Sequence, residues 1–123
     1  MRFLIVSLML ILCASCYQIE RNCAGFRTGT FESTITIDDI TYLSTFNRTK
    51  KLQIETFEGK TDSSNVRWIN DCEVIFKTIN PKRMADRKDI HLKILETTDT
   101  SYTFEYSYVG EVNKQRGIAQ KIE

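Results

Sequence analysis

Along most of this chain apolar and polar residues alternate with a period of two. Phe31, Ile35 and Ile37 alternate with Thr30, Glu32, Thr34 and Thr36, and Tyr42 and Phe46 stand against Leu43 and Thr45. Leu52 and Ile54 alternate with Gln53 and Glu55, and Val66 and Trp68 share one face of 65–69. Cys72, Val74 and Phe76 then share a face opposite Glu73 and Lys77, and Ile90, Leu92 and Ile94 alternate with His91 and Lys93. Tyr102, Phe104, Tyr106 and Tyr108 alternate with Thr103, Glu105 and Ser107, and Ile118 and Ile122 close the chain. Successive side chains of a strand point to opposite faces. A period of two rich in Thr, Ile, Tyr and Phe therefore predicts half-buried strands, one face inward and one wet.

Turn-forming residues fall between these runs, at Asp38-Asp39, 47–50, 59–64, Asn70-Asp71, Asn80-Pro81-Lys82 and Thr98-Asp99-Thr100. Asn and Asp tolerate the left-handed backbone of tight hairpins, so Asn70-Asp71 is expected to form one. The single proline, Pro81, sits in a break, where its missing N–H costs no ladder bond. The result is about eight strands with connections short enough for antiparallel neighbours. The expected fold is all-β: an antiparallel up-and-down meander, closed into a barrel or barrel-like, since closure removes exposed sheet edges. A barrel of this strand number has room for packed side chains or one small ligand.

The first sixteen residues follow a different pattern. Arg2 precedes an apolar run from Phe3 to Leu12, and Cys13-Ala14-Ser15-Cys16 ends it. A basic start, a short apolar stretch and small residues before a cysteine make the layout of a bacterial lipoprotein signal, too short for a permanent span. On this reading 1–15 is the signal, Cys16 carries the lipid, 16–27 is a tether and 28–123 is a single β domain. The protein is then exported to the cell envelope and anchored to a bacterial membrane, facing the periplasm or the surface. Cys13 leaves with the signal, and Cys23 and Cys72 remain as the expected disulfide of an oxidising compartment.

Charge narrows the partners. The chain carries 17 Lys and Arg against 16 Asp and Glu. Arg2 is the one charged residue of the signal, so the mature chain balances. The one local basic patch, Lys82, Arg83, Arg87 and Lys88, is interrupted by Asp86 and Asp89 and reads as a solvated loop. The otherwise interspersed charge gives no footprint for nucleic acid, whose affinity rests on phosphate neutralisation.

Signatures of catalysis are sparse. His91, the single histidine, lies within a strand on the face shared with Lys93, opposite Ile90 and Leu92. No spacing places it beside a nucleophile and an acid. One histidine and a disulfide do not supply a metal site, and no glycine-rich phosphate cradle occurs. No enzyme activity, cofactor or metal is expected. The candidate binding features are the aromatic row of the Tyr102–Tyr108 segment and the Trp68 region beside Cys72. Trp68, Phe76, Phe104 and Tyr106 are the candidate pocket-lining residues, and core filling is the alternative use of the same rings.

Several stretches are similar to a family of short exported bacterial lipoproteins. They are Thr28-Gly29-Thr30-Phe31, Phe57-Glu58-Gly59-Lys60, Arg67-Trp68-Ile69-Asn70-Asp71-Cys72-Glu73, Tyr102-Thr103-Phe104-Glu105-Tyr106 and Lys114-Gln115-Arg116-Gly117-Ile118-Ala119. The resemblance spans essentially the whole mature chain. Members often carry the label DNA topoisomerase IV, which a short neutral chain without a phosphate loop contradicts. The resemblance implies no catalytic residues, and the Trp–hairpin–Cys element looks like a lipocalin-type meander. The expected function is a non-enzymatic, lipid-anchored barrel binding a small apolar ligand. The alternative is an envelope lipoprotein with a filled core that docks a protein through an exposed face.

Overall fold

Side chains that alternate in polarity bury one face only when the sheet closes on itself or packs on a second layer. Here it closes. The computed structural model describes residues 19–123, and in it eight antiparallel strands follow one another in chain order around a closed barrel. The strands are β1 (Gly29–Ile37), β2 (Ile40–Arg48), β3 (Leu52–Phe57), β4 (Lys60–Asn70), β5 (Glu73–Thr78), β6 (Ile90–Thr97), β7 (Ser101–Tyr108) and β8 (Gln115–Lys121). β8 pairs with β1, from Phe31 opposite Lys121 to Ile35 opposite Gly117. The expected signal 1–15 and Cys16 lie outside the described residues.

Two hairpins follow directly from turn chemistry. Asp38 and Asp39 take φ of 50° and 64° between the paired residues Ile37 and Ile40. Glu58 and Gly59 take 48° and 75° between Phe57 and Lys60. Left-handed backbone at both central positions matches the twist of the flanking strands. The β4–β5 connection is also tight, but its means differ from the expected ones. Neither Asn70 nor Asp71 is among the residues with positive φ. Instead the Asn70 side-chain oxygen accepts the Cys72 backbone N–H at 3.0 Å, an Asx-type turn.

The two ends of the barrel differ. At one end, which we call the base, β1 begins, β2 ends, and a short 3-10 turn, Cys23–Phe26, tucks in. Phe31, Phe46, Tyr102 and Ala119 are buried there with Cys23 and Phe26. The segment expected as a tether thus contributes a cysteine and a phenylalanine to the core. Phe26 meets the Tyr102 ring edge-on at 5.3 Å, and Phe31 stacks on Phe46 at 4.9 Å. Preceding residues are held to the end of β6: Thr97 N–H donates to Glu20 O, and Asn22 N–H to Thr97 Oγ1, both at 2.8 Å. The expected disulfide is present and joins Cys23 to Cys72 across 49 residues of sequence. The opposite end, the mouth, carries the two tight hairpins, the connection 79–89 and the connection 109–114.

Two strands turn the face that polarity alone does not indicate. On β3, Leu52 and Ile54 pair outward with Asn65 and Ser63, while Gln53, Glu55 and Phe57 share the inward alternation. On β8, Ile118 is exposed and Gly117 and Ala119 are buried. A Cβ at Gly117 would stand 2.6 Å from Phe104 Cζ and 2.8 Å from Ile35 Cγ1, so the aromatic filling of β7 leaves room for small residues only. β4 also starts earlier than expected. Its first half, Lys60 to Ser64, is continuous strand, and its polarity conceals the alternation.

The packing yields two checks. Gly117→Ala should destabilise the barrel by about 1–3 kcal/mol, the usual scale of overpacking, read as a lowered urea midpoint. Replacing both Cys23 and Cys72 by Ser should cost up to about 4 kcal/mol if the cross-link acts mainly on the unfolded chain. Wild-type protein under reductant should then unfold at the same midpoint as that double variant.

Candidate functional site

The inward faces of all eight strands enclose the lumen, and its filling changes character from base to mouth. The largest fully buried side chain is not apolar: it is Arg48, at the end of β2, 1% exposed. Its Nη2 donates to the Tyr102 hydroxyl at 2.6 Å. Its guanidinium carbon lies between 5.1 and 5.9 Å from the ring centroids of Phe31, Phe46, Trp68, Phe76 and Tyr102. Aromatic faces attract a desolvated cation. Arg48 Nε and Nη1 nonetheless find no hydrogen-bond partner, and neither do Trp68 Nε1 and Gln53 Oε1.

Toward the mouth the side chains stop filling the interior. Ile35, Ile37, Tyr42, Ser44, Glu55, Phe57 and Tyr106 line a cavity of about 300 Å³. β1 supplies the two isoleucines, β2 the Tyr42 and Ser44 hydroxyls, β3 the carboxyl and a phenyl ring, and β7 the Tyr106 phenol. Tyr42 and Phe57 face one another at 6.0 Å. The wall is therefore apolar and aromatic, with a few convergent polar groups and one charged one, the composition typical of small-molecule sites.

Glu55 is that charged group. Burial pushes its carboxyl above the ordinary carboxylate range, and Asp62, directly across the β3–β4 ladder, raises it further by like-charge repulsion. Desolvation raises the Tyr106 phenol as well, and the neighbouring Glu55 charge adds to it. Tyr102 is raised by burial, against the opposing pull of Arg48.

The four candidate lining residues fall in different places. Tyr106 lines the cavity. Phe76 and Phe104 are buried in the core, and Trp68 packs against it, with the Arg27 guanidinium 4.8 Å from its ring centroid. His91 sits on the outer face of β6, its Nε2 3.0 Å from Glu73 Oε1. Glu73 in turn accepts from Asn70 Nδ2, and that bond holds its carboxyl below the usual range against the opposing desolvation, with smaller contributions from His91 and Lys93. The Asn70–Glu73–His91 chain is a surface network remote from the lumen. Among the described residues no cluster of three or more His, Cys, Asp or Glu side chains is disposed to hold a metal ion.

The residues that the sequence reading did not single out are Arg48 and Glu55. Arg48 fell inside an expected turn, and Glu55 on an expected solvent face. One signal was present: Phe57 shares the period-two face of Gln53 and Glu55.

Comparison of the chain with protein families, with curated proteins and with solved structures gives no match.

Tyr102→Phe removes the acceptor of Arg48 Nη2 and leaves a further buried donor unpaired. It should cost about 1–3 kcal/mol in chemical denaturation. Glu55 holds its proton more tightly folded than unfolded. Its contribution to stability is complete below the ordinary carboxylate pKa and is lost as pH rises through the raised value. Glu55→Gln should therefore gain stability relative to wild type from mildly acid to neutral pH, and the two should converge in stronger acid, as read from urea midpoints along a pH series.

Proposed function

We propose that this protein is an exported, lipid-anchored barrel of the bacterial cell envelope that holds a small, largely apolar ligand in its lumen and performs no catalysis on it. The observation that carries the ligand reading is the cavity of about 300 Å³ at the mouth, above a base closed by aromatic packing. Small-molecule sites are concave and mostly apolar with a few convergent polar groups, and an open-topped recess of this size at the mouth of a closed barrel suits one. Its walls offer Ile35, Ile37 and Phe57 to an apolar body and Tyr42, Ser44, Glu55 and Tyr106 to a polar end.

The export reading rests on Arg2, the apolar run and Cys16, and the Cys23–Cys72 disulfide agrees with an oxidising compartment. The same reading makes the membrane the protein's standing partner through the acylated cysteine. It also makes the chain one of the exported lipoproteins that its motifs resemble.

Two measurements test these parts separately. The intact mass of protein purified from its own membranes should equal the chain from Cys16 onward plus acyl groups, less the disulfide hydrogens. A chain that retains Met1 or lacks acyl mass removes the anchor. For the lumen, N-phenyl-1-naphthylamine, a neutral dye that brightens in apolar surroundings, should bind wild-type protein with micromolar affinity. Ser44→Phe fills the space and should abolish the enhancement while the far-UV spectrum of the barrel persists. Equal enhancement in both proteins would place the dye elsewhere and leave the docking alternative.

A further inference from the structure

The lumen carries opposite charges at its two levels, and only one of them faces the cavity. Arg48 is closed off at the base by five rings, that of Tyr102 among them, and is not among the lining residues. Glu55 is the one charged side chain of the lining, and it makes no hydrogen bond or ion pair with another described residue. A half-buried carboxylate without a partner carries a desolvation cost that nothing in the protein offsets. Its charged surroundings increase that cost. Asp62 on β4 stands across from it in register, where like charges are unfavourable. Lys60, on the same alternation as Asp62, is exposed at the rim and does not figure among the groups acting on Glu55. β2 presents Tyr42 and the sequestered Arg48, and β7 presents Tyr102 and Tyr106. From β1 come the apolar Ile35 and Ile37.

We propose that the ligand is an organic amine, its protonated nitrogen held by the Glu55 carboxylate and its apolar body lying against Ile35, Ile37 and Phe57. This deepens the proposed function and rests on it. An ammonium group forms a charge-assisted hydrogen bond to the carboxylate. The rings of Tyr42, Phe57 and Tyr106 add attraction for the same cation. The Tyr106 and Ser44 hydroxyls stand ready as further oxygen acceptors for its remaining N–H groups. A carboxylate-headed ligand meets the reverse situation, with Glu55 and Asp62 both repelling it and Arg48 sealed behind the aromatic layer. A neutral head such as an alcohol leaves Glu55 without a counter-charge.

The test is displacement of N-phenyl-1-naphthylamine from the intact, disulfide-bonded protein at neutral pH by octylamine, octanol and octanoate, which share one apolar chain. Octylamine should displace the dye at roughly tenfold lower concentration than octanol, the equivalent of about 1.4 kcal/mol, and octanoate should be weakest. In Glu55→Gln the ratio of octanol to octylamine concentrations should fall to near one. That ratio is internal to each protein, so a change in the variant's affinity for the dye does not affect it. Independently, the carboxyl-carbon resonance of Glu55 in wild type should titrate at lower pH when octylamine is present and not when octanol is.

Dye binding with octanol matching octylamine, or with octanoate best, overturns the amine assignment and leaves the ligand-binding reading standing. An unmoved Glu55 titration also overturns it. Failure of the dye to bind, or its equal binding to Ser44→Phe, overturns the ligand-binding reading and the amine assignment together.

Discussion

Sealing a guanidinium from water costs on the order of several kcal/mol unless the surroundings repay it, and this barrel seals Arg48 at its base. The compensation comes from five rings drawn from β1, β2, β4, β5 and β7, one of them the phenol that also accepts its hydrogen bond. Because those strands lie around most of the circumference, the cation is a common point to which they all refer. Each ring in turn needs its neighbours in place: Phe31 stacks on Phe46, and Tyr102 stands edge-on to both Phe26 and Phe31. The N-terminal turn, the disulfide and the end of β6 close over this cluster from outside. The base is thus a single cooperative unit, and closing it there is what makes the remaining interior a cup.

The cup differs from the base because its residues do. Above Phe46 the inward positions of β2 pass to Ser44 and Tyr42, and those of β3 run from Gln53 through Glu55 to Phe57. On β4 the inward alternation of Trp68, Val66 and Ser64 ends in Asp62 and Lys60. Large aromatics give way to small hydroxyls and charges toward the rim, so side-chain volume no longer fills the cross-section. A buried cation and a half-buried anion are held at different heights of one lumen, with the Tyr102 ring in electrostatic reach of both.

The sequence was legible where the rule of apolar-in, polar-out applies. The strand number, the antiparallel order, the Asp38-Asp39 break and the Cys23–Cys72 bridge all emerge from alternation, turn chemistry and cysteine arithmetic. Closure, against an open curved sheet, is decided only by the β1–β8 pairing. The rule fails at β3, β4 and β8, for two physical reasons. At β8 the interior is already occupied by Phe104, so the inward positions must be Gly117 and Ala119, and the isoleucine goes outside. At β3 and the first half of β4 the inward face lines a cavity and its rim, so polar residues point in and Leu52 and Ile54 point out. Of the strands that line the site, β3 is the one whose pattern misleads a reader of the sequence, and it brings the charged group. Arg48 escaped for a related reason: an arginine at the end of a strand reads as a solvated turn, and only the closure of the barrel turns it inward.

The first described residues and the cavity occupy opposite poles of the barrel. Residues 20–22 run along the end of β6 at the base, and Cys23 is stitched there to Cys72. The cavity is bounded by Ile37 and Phe57 beside the hairpins of the other pole. The first described residues therefore meet the barrel at its closed floor, and the cavity opens on the far side. The two poles are thus chemically unlike: a sealed foot stitched by a disulfide, and an open rim of hydroxyls, aromatic rings and a carboxyl group.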